Sequence, residues 1–449
     1  MNKPSTIAFH SCTAAFRAGG DTPSAYLERC LATIERIEPD VGAFVALNVA
    51  GAREAAAKST QRWHDDAPLS PIDGMPVGVK DIIETIDMPT QMGSDLYVGW
   101  RSERDSASVH ALREAGAVVL GKTVTTEFAA TFPRGTRNPW DLSRTPGGSS
   151  SGSAAAVACG MLPAALGTQG LGSILRPASY CGCIGFKPSF GAINRGGSLD
   201  SVSQSAHGAL AASIEDAWLM LRAIVDRIGG DPGFVGLQGP AAPPVPVRPK
   251  RFAVLRTAGW PETDANAKRA LTMMVDRLQA EGIELLMGDN HAGVAAAEQA
   301  LVRALAASLQ LNAWDMRWPL NSYRDRDASK VSAVMLGRLA EAETMSHADY
   351  RALLDEREHA RIIWSTLASD FDGAVSLAAT GVAPVGLQSS GNAVFAVPSS
   401  YLGTPALSLP LISIGDLPIG FQVMGFAGRD AELIGIARWL VSHLPPIAT

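Results

Sequence analysis

Short apolar runs alternate with helix-patterned stretches along most of this chain, and that alternation restricts the fold more than any other feature. MPVGVKDII, residues 75–83, follows a turn signal at Asp73-Gly74 and reads as a buried strand with Lys80 in its middle. Residues 106–116 fit a helix, and 117–120 a second strand that Gly121 closes. Residues 154–161 form an alanine-rich helix and 163–166 a third strand. Strand, helix and strand in this rhythm pack helices on a largely parallel sheet. Upstream, 22–38 reads as an amphipathic helix with Thr22 as N-cap and Pro39 beyond its end, and 49–57 continues the helical character. Downstream come a helix at 214–228, strands at RFAVL and IELL around another helix, two long helices at 292–311 and 347–368, and a glycine-punctuated β region at 405–424. The Pro/Gly-rich segment 235–250 is read as a surface crossing within one sheet, so residues 1–449 are expected to form a single domain.

Composition narrows the partners. With 47% hydrophobic and 18% charged residues the chain can bury a large core. A net charge of −6 without long like-charge runs argues against nucleic acid or an anionic membrane, and for a small-molecule substrate. No apolar leader and no run of about 18 apolar residues is seen, which gives the expectation of a cytoplasmic protein. The five cysteines lack CxxC or Cys/His spacing, so no disulfide framework and no metal site is expected. Self-association into a homodimer is left open.

GGSSSGS, residues 147–153, is the most unusual local stretch. As a phosphate loop it lacks the lysine of a Walker motif. As G-x-S-x-G around Ser150 it lacks the strand that should run into a nucleophile elbow, because SRTPGG before it is a loop. As a linker it would not be followed at once by apolar helix. A second glycine-rich loop, GTQGLGSILRP, lies one helix and one strand downstream.

The segment TPGGSSSGSAAAVACGMLPAALGTQGLGSILRPASYCGCIGFKPS resembles the signature region of the amidase signature family. PVGVKD around Lys80, GAVVLGKTVTTEFA, RNPWDLSRTPGG, GTPALSLPL and LPIGFQVMG agree, so the resemblance spans most of the chain, with its core at about 75–195. It implies an α/β fold with a large mixed sheet between helices and a Ser-cisSer-Lys hydrolase that needs no cofactor. Carried over, Ser173 is the nucleophile, Ser149 the bridging serine on a cis peptide, and Lys80 the base. Lys80 and Ser149 are 69 residues apart, and Ser149 and Ser173 are 24 apart. The chemistry is coherent: burial in an apolar strand lowers a lysine pKa and makes a neutral amine available to a serine proton. Lys80 could instead snorkel at an edge strand or pair with Asp81.

Gly170, Leu171, Gly172 and Ser173 are the expected oxyanion hole, formed from backbone N–H groups. Leu171 departs from the family pattern, and a leucine enters the left-handed region only at a cost. Arg176 stands three residues after Ser173, where most members place it two after; it either binds a substrate carboxylate, as in malonamidase-like members, or braces the loop. Ser150, Ser151 and Ser153 are read as loop hydrogen-bonding and capping residues, and His207 as a loop histidine satisfied locally. The expected activity is hydrolysis of a C–N bond in a small amide, aryl amide or urethane. The rivals are an α/β-hydrolase-like esterase using Ser150 and a histidine, and a non-catalytic or amidotransferase-subunit homologue.

Overall fold

A computed structural model describes residues 3–200 and 202–449. Among the described residues twelve strands join in one sheet: β1 Phe44–Leu47, β2 Pro76–Lys80, β3 Val118–Thr123, β4 Ala164–Gln169, β5 Ile184–Lys187, β6 Ala206–Ala211, β7 Arg251–Val254, β8 Glu284–Leu286, β9 Gly373–Leu377, β10 Ala406–Ile414, β11 Leu417–Met424 and β12 Ile447–Ala448. The order is β1-β3-β2-β4-β6-β5-β10-β11-β9-β7-β8, with β12 beside β10. β2 runs parallel to both β3 and β4, as the alternating pattern predicts. The sheet as a whole is mixed rather than largely parallel, because β4–β6, β6–β5, β5–β10 and β10–β11 are all antiparallel. Of these pairs only β5–β6 and β10–β11 are consecutive strands; β4–β6 and β5–β10 pair across intervening elements, which the rhythm of the first half misses. Every position of β2, β3, β4, β5 and β6 is buried, so helices and loops cover both faces of the central sheet. Strands on either side of segment 235–250 belong to this sheet.

Several boundaries move. Thr22 does cap its helix, accepting from the Ala25 N–H, but the helix runs Pro23–Val41 with Pro39 inside it and ends at Gly42, whose φ is 63°. β3 passes through Gly121 instead of stopping there. A Cβ at Gly121 would meet the Ala46 carbonyl oxygen at 2.8 Å, so this glycine serves the close approach of β1. The expected helix 292–311 is two helices, Ala292–Leu301 and Ala304–Asp327. The helix after the serine loop begins within it, at Ser151. Among the described residues no helix is long and apolar enough to cross a membrane, and all five cysteines are free thiols.

Candidate active site

Lys80 ends β2 between β3 and β4, and its side chain is fully buried. Its Nζ lies 2.7 Å from Ser149 Oγ, 2.8 Å from Thr168 Oγ1 and 3.4 Å from the Thr168 carbonyl oxygen. Asp81 does not pair with it; that carboxylate lies 3.2 Å from Lys122 on the neighbouring strand. Alternation along a strand explains the split, since consecutive side chains leave opposite faces. Burial without a paired carboxylate lowers the Lys80 pKa from 10.5 to about 7, against a smaller upward pull from Asp200.

Ser149 follows a cis Gly148–Ser149 peptide. Gly147 before it has a φ of 81°, and a Cβ there would meet Pro177 Cα at 2.9 Å, so glycine is required twice over. The Ser149 carbonyl accepts from the Thr126 N–H at 3.2 Å, and the Ser150 N–H donates to the Ser173 carbonyl at 3.3 Å, which ties the two glycine-rich loops together. The remaining serines of the loop do not cap its helix. Ser150 Oγ donates to the Thr168 carbonyl, Ser151 Oγ to the Val124 carbonyl, and Ser153 Oγ pairs with Thr123 Oγ1 at 2.7 Å. They stitch the helix to the sheet beneath it.

Ser173 sits at the mouth of the next helix, Leu175–Cys181, and lines the same cavity as Ser149, Thr168, Gly170, Leu171 and Arg176. Among the described residues no hydrogen bond joins the Ser149 and Ser173 hydroxyls. None of Gly170, Leu171 and Gly172 has a positive φ, so Leu171 fits its loop without strain. Gly172 is glycine for space: a Cβ there would meet the Cβ atoms of Ala396 and Ala393 at 2.9 and 3.1 Å. Gln169 organises the loop from below. Its Oε1 accepts the N–H groups of Ile174 and Leu175 at 2.9 and 3.0 Å, and its Nε2 donates to Ser400 Oγ at 3.1 Å. Among the described residues the N–H groups of Gly170, Leu171, Gly172 and Ser173 have no protein acceptor, which leaves all four available to an oxyanion.

Arg176 is 6% exposed and spends its guanidinium on the loops. It donates to the Gly148 carbonyl at 2.6 Å, the Gly391 carbonyl at 2.8 Å and Ser390 Oγ at 3.0 Å, leaving only Nε buried without a partner. Burial lowers its pKa to about 10. His207 is not on a loop but in β6, opposite Thr168, and fully buried. Its Nδ1 meets Ser108 Oγ at 3.2 Å rather than Ser150, and burial holds its pKa down to about 3, so the ring is neutral. Its Nε2 has no partner.

The rest of the cavity comes from segments that sequence reasoning passed over. Phe128 and Ala129 have φ of 50° and 56°, the left-handed region that non-glycine residues rarely enter. This places Phe128 flat on Tyr323, with ring centroids 4.5 Å apart and planes 21° apart. Leu171, Leu199, Val202, Met316 and Pro319 extend the apolar wall, and Asp200, Asn312 and Arg338 supply polar groups. Thr168 and Gln169 could have been found as the polar pair leading into GLGS; nothing in the local pattern marks Asn312 or Arg338. Among the described residues no cluster of His, Cys, Asp or Glu could hold a metal ion.

Comparison with known proteins shows the family. The chain matches the Amidase family over residues 25–434. It is 30% identical to a glutamyl-tRNA(Gln) amidotransferase subunit of Chloroflexus aggregans, an alignment that covers 94% of this chain and 93% of that protein. The crystal structure of an amidase superposes with a TM-score of 0.85 at 26% identity, covering 98% of this chain and 100% of that one. The peptide amidase of Stenotrophomonas maltophilia superposes with a TM-score of 0.76 at 27% identity over 97% of both chains. On its buried lysine, its two serine-bearing loops and these similarities, the chain belongs to the Amidase family.

Proposed function

We propose that the chain hydrolyses the C–N bond of a small amide, aryl amide or urethane through an acyl-enzyme on Ser173. The observation that carries this reading is a lysine amine poised near pH 7, without a carboxylate partner, 2.7 Å from the Ser149 hydroxyl. Neutral Lys80 takes the Ser149 proton as Ser149 takes that of Ser173, and Ser173 Oγ attacks the carbonyl carbon. The negative charge that develops on the carbonyl oxygen falls to the N–H groups of the Gly170, Leu171, Gly172 and Ser173 loop. The lysinium is held by the two Thr168 oxygens and the field of Asp200. Collapse of the intermediate breaks the C–N bond as the proton returns through Ser149 to the leaving nitrogen. Water then repeats the sequence against the ester, restoring Ser173.

The apolar wall of Phe128, Leu171, Met316 and Tyr323 favours an aryl or alkyl substituent beside the carbonyl. With three oxygens already bound, Arg176 braces the loops and has little left for a substrate carboxylate. The test compares kcat/KM for an anilide, an aryl carbamate and a small dicarboxylic monoamide in wild type and Arg176→Ala. The anilide or carbamate is expected to be best. A monoamide that is best and that Arg176→Ala alone abolishes would overturn the bracing role. The amidotransferase relatives support a second reading, action within a larger assembly; anilide turnover by the isolated chain decides against it.

A further inference from the structure

Two polar side chains in the cavity are not used by the chemistry above, and neither has a hydrogen-bond partner among the described residues. Asn312, on the helix Ala304–Asp327, is 5% exposed. Its Oδ1 is buried without a hydrogen bond, and its Nδ2 would lie 3.7 Å from a Cβ placed on Gly170, beside the oxyanion loop. Arg338, on the next helix, Ala333–Thr344, lines the same cavity and is only partly exposed. Among the described residues it has no hydrogen-bonded or ion-paired acceptor; only the field of Glu341 favours its charge, and burial lowers its pKa. A desolvated guanidinium and an orphaned amide are each costly, and folds retain such groups where something else satisfies them.

We propose that Asn312 and Arg338 form a recognition subsite for a carboxylate carried by the substrate away from its scissile bond. This rests on the amidase reading of the same cavity and specifies its substrate: an amide or carbamate with an apolar body for the Phe128–Tyr323 wall and one acidic end. The guanidinium fork matches a planar carboxylate with two parallel N–H groups. Asp200 shares the cavity, where it accepts from Ser205 Oγ and the Val202 N–H. Its charge disfavours a doubly charged phosphate more than a singly charged carboxylate. Arg176 is excluded from the role by its three bonds to the loops.

The experiment pairs acids with neutral analogues of matched shape on each side of the scissile bond: N-phenylsuccinamic acid against butyranilide, and 4-acetamidobenzoate against 4-methylacetanilide. In at least one pair, wild type should favour the acid by roughly 10-fold or more in kcat/KM, the scale of one charge-assisted pair. Arg338→Gln should bring that ratio to about one through KM, Arg338→Lys should restore part of it, and Asn312→Leu should lower it several-fold. Calorimetric binding of the favoured acid to Ser173→Ala, with and without Arg338→Gln, reads the subsite without turnover. A weakening of roughly 10-fold or more is expected there. Preference for the neutral member of both pairs, or a ratio and binding constant that Arg338→Gln leaves unchanged, overturns the subsite. Failure to turn over any of the four amides, with acid binding still dependent on Arg338, would instead remove the amidase reading and keep the subsite.

Discussion

If Lys80 is the base, the pH dependence of catalysis should report its burial. With a pKa near 7 in place of 10.5, about half of the lysine is neutral at pH 7, against roughly 0.03% for a solvated lysine. Below that point the neutral fraction falls about tenfold per pH unit, to roughly 1% at pH 5. Profiles of kcat/KM on a chromogenic anilide from pH 5 to 9 should therefore rise to a plateau with a midpoint near 7, and Lys80→Met should lose several orders of magnitude. Asp200→Asn removes the pull that raises the lysine pKa, so its midpoint should lie lower. The same burial acts on stability. The folded state releases the proton at about 7 and the unfolded state at 10.5, so between those values the unfolded chain holds more protons and stability rises with pH. The penalty is about 5 kcal/mol and fully present below pH 7. Relative to Lys80→Met, wild type should thus gain about 3–4 kcal/mol between pH 7 and pH 10 in urea unfolding. A flat rate profile, a midpoint near 10, or parallel stability curves would refute the neutral buried amine.

Other substitutions separate roles. Ser173→Ala should abolish turnover and covalent labelling with an intact fold, and labelling retained at another serine, checked by mass spectrometry, would displace the nucleophile. Ser149→Ala should lose several orders of magnitude but less than Ser173→Ala, because water can partly replace a relay hydroxyl; equal losses in single-turnover rates would contradict a relay. Arg176→Met strands the Gly148 and Gly391 carbonyls and Ser390 Oγ, so a loss of about 3 kcal/mol or more is expected in denaturant midpoints, with kcat lowered for every substrate alike. Gly172→Ala forces its Cβ to within 2.9 Å of Ala396; kcat should fall while the helix content seen by circular dichroism stays constant.

Much of this site was legible because its parts are local. A lysine inside MPVGVKDII is buried by the apolar residues on either side of it, and the glycines of GGSSSGS and GTQGLGS announce backbone conformations and close approaches that other residues resist. The resemblance then assigned roles to Lys80, Ser149 and Ser173, and the fold brings Lys80 and Ser149 into contact with Ser173 lining the same cavity. Chain order said less about the sheet, since antiparallel returns such as β4–β6 depend on pairing partners far apart in sequence. It could not choose between the two readings of Arg176 either, because bracing depends on Gly391 and Ser390, more than 200 residues away. Asn312 and Arg338 lie on helices whose sequence shows no motif, and what singles them out is the absence of a partner among the described residues. That is a property of packing: a side chain's solvation is set by whatever the rest of the chain places around it, and only the tertiary structure decides whether a polar atom is paired or left facing a cavity.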